Sequence, residues 1–189
     1  MNQTRCAWVT NDPLYIAYHD EEWGYPQYDA KQLFETLMLE GFQAGLSWLT
    51  ILRKREGFRD AFEGFDPERI AEWGPEHVDR LMADPGIVRH RAKIEATLQG
   101  ARAWAKLMEQ HPGGFSGFVW ETVEDSPVIN RFQDISEVPS QTEASRQLSS
   151  RLRKAGFRFT GPTTCYSFMQ AAGLVDDHVV TCFRRMPPE

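Results

Sequence analysis

Apolar and polar positions along this chain recur with a helical period from Asp29 onward, and no segment alternates with the period of two that a half-buried strand needs. Asp29 stands before a periodic run with Gln32 three residues later, a capping-box arrangement that predicts a helix start. From Leu33 to Leu52 apolar residues cover most of the helical circumference, leaving one polar stripe of Thr36, Glu40, Gln43, Ser47 and Thr50. Asp66-Pro67 and Gly74-Pro75 each put proline at a first helical position, where its missing N–H costs nothing, so two short helices are expected. Between Arg89 and Gln110, Ile94, Leu98, Ala101, Ala105 and Met108 form one stripe at three- and four-residue steps, and His111-Pro112-Gly113-Gly114 ends that helix. Residues 125–139 lack a steady period and read as a loop. Ser140 with Glu143 predicts a second capping box, opening a helix that Gly156 closes. Phe157 to Pro162 then turns into a last helix, Thr163 to Ala172. The expected fold class is all-α with short joints, without repeats or low-complexity segments.

Composition bounds this picture. The 189 residues, 41% hydrophobic with six Trp and twelve Phe, suffice for a real core in one domain or two close lobes. No apolar run reaches the ~18 to 20 residues of a membrane span, and Met1 to Cys6 has neither the hydrophobic block nor the cleavage pattern of a signal peptide. A cytoplasmic protein without a membrane partner is expected. Cys6, Cys165 and Cys182 are too scattered for a disulfide framework, which leaves burial or metal binding. The net charge of −6 counts against general nucleic-acid binding, so any DNA-binding face must be locally basic. Three clusters offer one: Arg53, Lys54, Arg55 and Arg59; Arg89, His90, Arg91 and Lys93; and Arg151, Arg153, Lys154 and Arg158. Each is equally a solvated helix end complementing the macrodipole, and only their convergence in space argues for DNA.

Two constellations carry chemistry. His178-x3-Cys182 puts an imidazole and a thiolate on one helical face, and Cys6 with His19 completes Cys2His2, the tetrahedral set that zinc favours in closed structural sites. The alternative is that both cysteines are small buried hydrophobes and both histidines lie at the surface. With four protein ligands there is no open position for an activated water, so the metal fixes the fold. Cys165, in an apolar run with no basic neighbour, reads as core. In the second constellation Glu40 is the only acid on a stripe of small neutral polar groups, with Gly41 and Gly45 allowing close approach and Trp48 adjacent. That suits either a pocket wall or the wet side of a helix. Trp8, Tyr15, Tyr18 and Trp23 crowd the N-terminal segment, either to stack a base or attract a cation, or to pack a core. Two other classes stay open on the residues alone: a non-catalytic zinc-stabilised helical nucleic-acid-binding module, and a zinc hydrolase in which one ligand position is water.

Four stretches together resemble the DNA-3-methyladenine glycosylase I family: DPLYIAYHDEEWG at Asp12 to Gly24, LEGFQAGLSW at Leu39 to Trp48, GIVRHRAKI from Gly86, and CYSFMQAAGLVDDHVV at Cys165 to Val180. The likeness runs through nearly the whole chain. It implies a helix-hairpin-helix DNA glycosylase-like fold, with the hairpin at Arg158 to Thr164 gripping phosphates, and one glycosylase unit over residues 1–189 in which zinc-binding termini, 1–28 and 174–189, pack with a helical core, 29–173. It implies one structural zinc on Cys6, His19, His178 and Cys182. It also implies that Glu40 recognises the methylated base as the catalytic carboxylate, that Tyr15, Tyr18, Trp23 and Trp48 wall the base, and that Gln43 and Leu46 fill the vacated duplex position. The implied activity is release of 3-methyladenine from alkylated double-stranded DNA by a monomer. Asp176 and Asp177 are expected to cap a helix at His178 rather than to act on the substrate. Some members carry Gln where Phe42 stands, and some have extra cysteines beside the last ligand.

Overall fold

The computed structural model of the chain describes residues 3–185; residues 1–2 and 186–189, the outer ends of the expected terminal segments, lie outside the described residues. The chain is mostly helical: α1 (Pro13–Glu21), α2 (Ala30–Gln43), α3 (Trp48–Ala61), α4 (Pro67–Ala71), α5 (Pro75–Ala83), α6 (Arg91–Gln110), α7 (Gly114–Trp120), α8 (Glu143–Ala155) and α9 (Pro162–Ala171). Two-residue strands β1 (Val128–Ile129) and β2 (Val175–Asp176) pair in parallel, Val128 opposite Val175, and stitch the 125–139 loop to the segment after α9. No described helix is long and apolar enough to cross a membrane.

Local chemistry explains most boundaries. Asp66 caps α4 by accepting from the Glu68 N–H at 3.1 Å, and proline opens both α4 and α5 as expected. Asp29 accepts from the N–H groups of Lys31 and Gln32, but the Gln32 side chain bonds Gln27 instead of returning to the cap, so the box is half formed. The cap of α8 is Thr142, not Ser140: Thr142 and Ser145 exchange bonds of 3.2 and 2.9 Å, because a hydroxyl three residues on does what Glu143 was expected to do. Gly156 closes α8 at φ 109, as expected. Two larger corrections concern α1, which precedes the expected onset of helix at Asp29, and the Leu33–Leu52 stretch, which is two helices broken at 44–47. Gly45 takes φ 87 there, in open space, so its use is to reverse the chain and not to admit a ligand.

Helix α6 is the central post, packing against α2, α4, α5 and α7, while α9 lies on α2 and α8. Ile94, Leu98 and Ala101 are buried as the stripe predicts, but Met108 is 43% exposed, because α6 outruns the core at its C-terminal end. Phe34, Phe42, Phe58, Phe62 and Phe65 are fully buried in that core, each contributing about 1.5–3 kcal/mol of burial. Cys165 is buried there too, its thiol donating to the Thr160 carbonyl at 3.4 Å. A smaller cluster of Cys6, Tyr18, Trp23, Leu52, Val179 and Cys182 joins the two ends of the described chain.

Candidate active site and metal centre

Between α1, α2, α9 and the 135–140 loop lies a cavity of about 330 Å³. Its walls include Tyr15, Tyr18, Trp23 and Trp48, together with Glu40 and Gln43. Helix α1 delivers Tyr15 and Tyr18 from one face because they are three residues apart. The rings meet at angles: Trp8 lies 5.0 Å from Tyr15 and 5.1 Å from Trp23, and Tyr18 lies 5.4 Å from Trp48. Such tilted packing fixes ring planes without filling the space between them.

Glu40 is 4% exposed and, among the described residues, has no hydrogen-bond or ion-pair partner. Burial alone pushes its carboxyl up to about 8. Burial first, and the Glu40 charge second, raise the Tyr15 and Tyr18 phenols, which therefore stay protonated. The indole N–H of Trp48 is buried and likewise unpartnered among the described residues. A buried carboxylate that no described residue satisfies, set among π faces, favours a flat ligand that carries positive charge or offers donors.

The structure thus brings Glu40, Gln43 and the four expected rings together, and leaves Leu46 outside. Leu46 sits on the 44–47 turn, 40% exposed, its carbonyl accepting from Gln43 Nε2 at 3.1 Å. Ser47 and Thr50 are not wall residues: they form the N-terminal cap of α3, and Thr36 bonds the Gln32 carbonyl. Gly41 faces Phe159, where an added Cβ would lie at an ordinary 3.7 Å, so it admits no ligand. Trp8, the remaining ring of the crowded N-terminal segment, lines the cavity too, and Tyr166, Gln170, Asp177 and the Ile135–Ser140 loop do so without having been singled out for it. The Asp177 carboxylate accepts from Tyr166 Oη at 2.5 Å, Asn130 Nδ2 at 2.7 Å and Gln170 Nε2 at 2.8 Å, and caps nothing. Asp176 accepts from the His178 N–H at 3.0 Å, but no helix follows, so the expected helix cap is a two-residue turn.

Beside this cavity the side chains of Cys6, His19, His178 and Cys182 converge, all buried, with ligand atoms within 4.8 Å of one another, and can hold a metal ion. His178 and Cys182 are joined by a turn in which the Cys182 N–H donates to the Val179 carbonyl at 2.8 Å, not by the expected helical face. His19 Nδ1 donates to Asp20 at 2.8 Å, turning Nε2 towards Cys182 Sγ at 3.4 Å. His178 Nε2 donates to the Trp23 carbonyl at 3.3 Å, turning Nδ1 towards Cys6 Sγ at 3.6 Å and Cys182 Sγ at 3.5 Å. Both free nitrogens therefore face the sulfurs, the arrangement that outer partners impose on metal-binding imidazoles. The hydrogen bond with Cys6, then those with His178 and His19, hold the Cys182 thiol well below the ordinary thiol range, while the same bond and burial push the Cys6 thiol above it. Gly24, at φ 81, leaves only 3.0 Å between an added Cβ and His178 Nε2, so the turn after Trp23 admits no side chain.

The chain is 54% identical over 178 residues to DNA-3-methyladenine glycosylase 1 of Escherichia coli (strain K12), covering 94% of this chain and 95% of that one. A crystal structure of 3-methyladenine DNA glycosylase I superposes with a TM-score of 0.94 at 52% identity, over 97% of this chain and 100% of the other. A second, a variant of 3-methyladenine DNA glycosylase I in complex with 3-methyladenine, gives a TM-score of 0.93 at 43% identity, over 98% and 99%. The family model described as methyladenine glycosylase matches residues 8–185, and the chain belongs to that family.

Proposed function

We propose that this chain is a base-excision DNA repair glycosylase of the cytoplasm that hydrolyses the N-glycosidic bond of 3-methyladenine in alkylated double-stranded DNA, working as a single unit and a monomer. The observation that carries this reading is Glu40, a buried carboxylate without a partner among the described residues, in a ring-walled cavity large enough for one base. Methylation at N3 makes the attached base cationic. Glu40 accepts hydrogen bonds from its edge and regains the ionised form beside its charge, while Tyr15, Tyr18, Trp23 and Trp48 hold its faces, each cation–π contact contributing on the order of 0.5–2 kcal/mol. Neutral adenine gains less from both. When the C1′–N9 bond breaks, its electron pair neutralises the departing base and the sugar becomes an oxocarbenium ion. Water then bonds to C1′ and gives up a proton to solvent.

The nucleotide has to leave the duplex first, at a cost of a few kcal/mol. Gln43 and Leu46, joined at the exposed end of α2, would occupy the vacated position. Residues 156–161 join α8 to α9, so the expected hairpin at 158–164 spans that joint and the first turn of α9 in a helix-hairpin-helix element, and Gly161 leaves the first N–H groups of α9 uncapped by a side chain and able to face phosphate. Around it Arg89, Arg153, Lys154 and Arg158 are exposed and make no ion pair with other described residues. The Arg53 cluster is spent within the protein, on Asp12, Glu22, Glu35 and Glu56. Zinc is the ion that Cys6, His19, His178 and Cys182 would hold: tetrahedral bonds of about 2.3 Å to sulfur and about 2.0–2.1 Å to nitrogen separate S from N by roughly 3.6 Å. Three of the four S–N separations are 3.4 to 3.6 Å, and all four ligand atoms lie within 4.8 Å of one another. Such a closed site supplies cross-linking and no bound water.

Chromatography of bases freed from methylated duplex DNA tests the reading. The protein should release 3-methyladenine, and Glu40→Gln should release it at least about 100-fold more slowly with its helical signal retained. Release by the variant at the wild-type rate would remove Glu40 from the reaction, and no release by the wild type would end the proposal.

A further inference from the structure

Lys93 occupies the third position of α6, where a positive charge opposes the helix macrodipole, and it is only 8% exposed. Among the described residues no carboxylate pairs with it. What satisfies the ammonium is backbone: Nζ donates to the carbonyls of Phe42 at 3.0 Å and Ala44 at 2.8 Å. These carbonyls end α2, whose last turn has no intrahelical donor for them and carries the negative pole of its own dipole. Lys93 is therefore a C-terminal cap supplied from 51 and 49 residues away in sequence. Just beyond it the backbone leaves the helix at Ala44, with φ −50 and ψ 114, and reverses through Gly45.

The same ammonium lies 6.0 Å from the centre of the Phe159 ring. Phe159 belongs to the α8–α9 hairpin and takes φ 55, a left-handed conformation that a bulky side chain holds only where its surroundings impose it. The guanidinium of Arg158 lies 6.0 Å from that ring and the His90 imidazole 6.1 Å, while its Cβ packs on Gly41. One buried charge thus sits on the end of the helix that carries Glu40 and Gln43 and on the strained residue of the hairpin.

We propose that Lys93 is a positioning residue that ties the Gln43–Leu46 turn to the hairpin and so sets the separation between the part of the protein that fills the duplex and the part that grips its backbone. This rests on the roles given above to those two segments. Lys93 lines no part of the base cavity, so its loss should act on DNA engagement and leave capture of the free base alone.

The test compares wild type with Lys93→Met, which keeps the apolar stem and removes the donors. Tryptophan fluorescence should give free 3-methyladenine affinities within about twofold of each other, whereas kcat/KM for excision from methylated duplex and affinity for a duplex with an abasic-site analogue should fall by about tenfold or more, the scale of a sub-ångström misplacement. Leu46→Ala should cost much less in the Lys93→Met background than alone, because a released turn no longer aims the leucine. Parallel loss of base and DNA binding, no loss of either, or full additivity with Leu46→Ala would overturn the tie. Should Lys93→Met not fold, Lys93→Arg decides by the same selective loss, since it keeps the charge and displaces the donors. Release of 3-methyladenine by the wild type is the separate control on the glycosylase reading; a wild type that neither releases base nor binds duplex ends both.

Discussion

Glu40 is the residue on which pH acts most directly. Its folded value of about 8 lies above its ordinary 4.5, so the folded chain keeps a proton that the unfolded chain releases in this window, and stability falls as pH rises from about 4.5 to 8. Glu40→Gln has no such proton to lose. Its melting temperature should match the wild type near pH 5 and exceed it by about 3 °C or more at pH 8, as followed by calorimetry. An equal difference at both pH values would mean that the carboxylate is not the buried charge. Saturating 3-methyladenine should narrow the gap at pH 8 by restoring a partner to the wild type. At this scale the sequence was informative where chemistry was singular: Glu40 is the only acid on its stripe, and the four rings stand out by type. Tyr166 and Gln170 were hidden because they interrupt or flank the apolar Cys165–Met169 run, whose pattern reads as core, and Asp177 because an acid before His178 reads as a helix cap.

Among elements, the helices with a wide apolar stripe or a proline start were legible, and those shaped by the site were not. Asp12-Pro13 is the same signal as Asp66-Pro67, and Asp12 does accept from the Leu14 N–H at 2.9 Å. Yet α1 shows no clean stripe, since its rings face the cavity and His19 turns to the two buried cysteines and His178, so apolar and polar sides are not opposed. The break between α2 and α3 is written in Gly45 and Ser47 but overridden in the pattern by the apolar residues on both sides. His178 and Cys182 meet although no helix joins them, because the turn between them gives the reach that a four-residue helical step gives. For the α8–α9 hairpin the prediction is electrostatic. Arg153→Ala with Lys154→Ala should lower the slope of log affinity against log salt for duplex DNA by about 1 to 2, while Arg53→Ala, whose charge is paired with Asp12, should leave it unchanged. Titrations at several salt concentrations would expose the opposite assignment.

Over the whole molecule the Cys6, His19, His178 and Cys182 cluster brings together residues 172 positions apart, Cys6 and His178, within the smaller of the two hydrophobic clusters. Elemental analysis should find one zinc per chain, and chelation or Cys182→Ser should lower the melting temperature by about 5 °C or more with most helical signal retained, since the larger core includes none of the four ligands. An unchanged melting temperature in the metal-free protein would deny the cluster a structural part. The same long reach governs how the cavity comes into being. Trp8 and Tyr15 form one side of it and Asp177 another. A nascent chain must therefore carry Asp177 and Cys182 clear of the ribosome before that cavity and the cluster beside it can be completed, although Trp8, Tyr15 and Trp23 can already pack on one another. Most of the larger core lies before that point, so a chain interrupted short of Asp177 lacks the last wall of the cavity and two of the four clustered ligands.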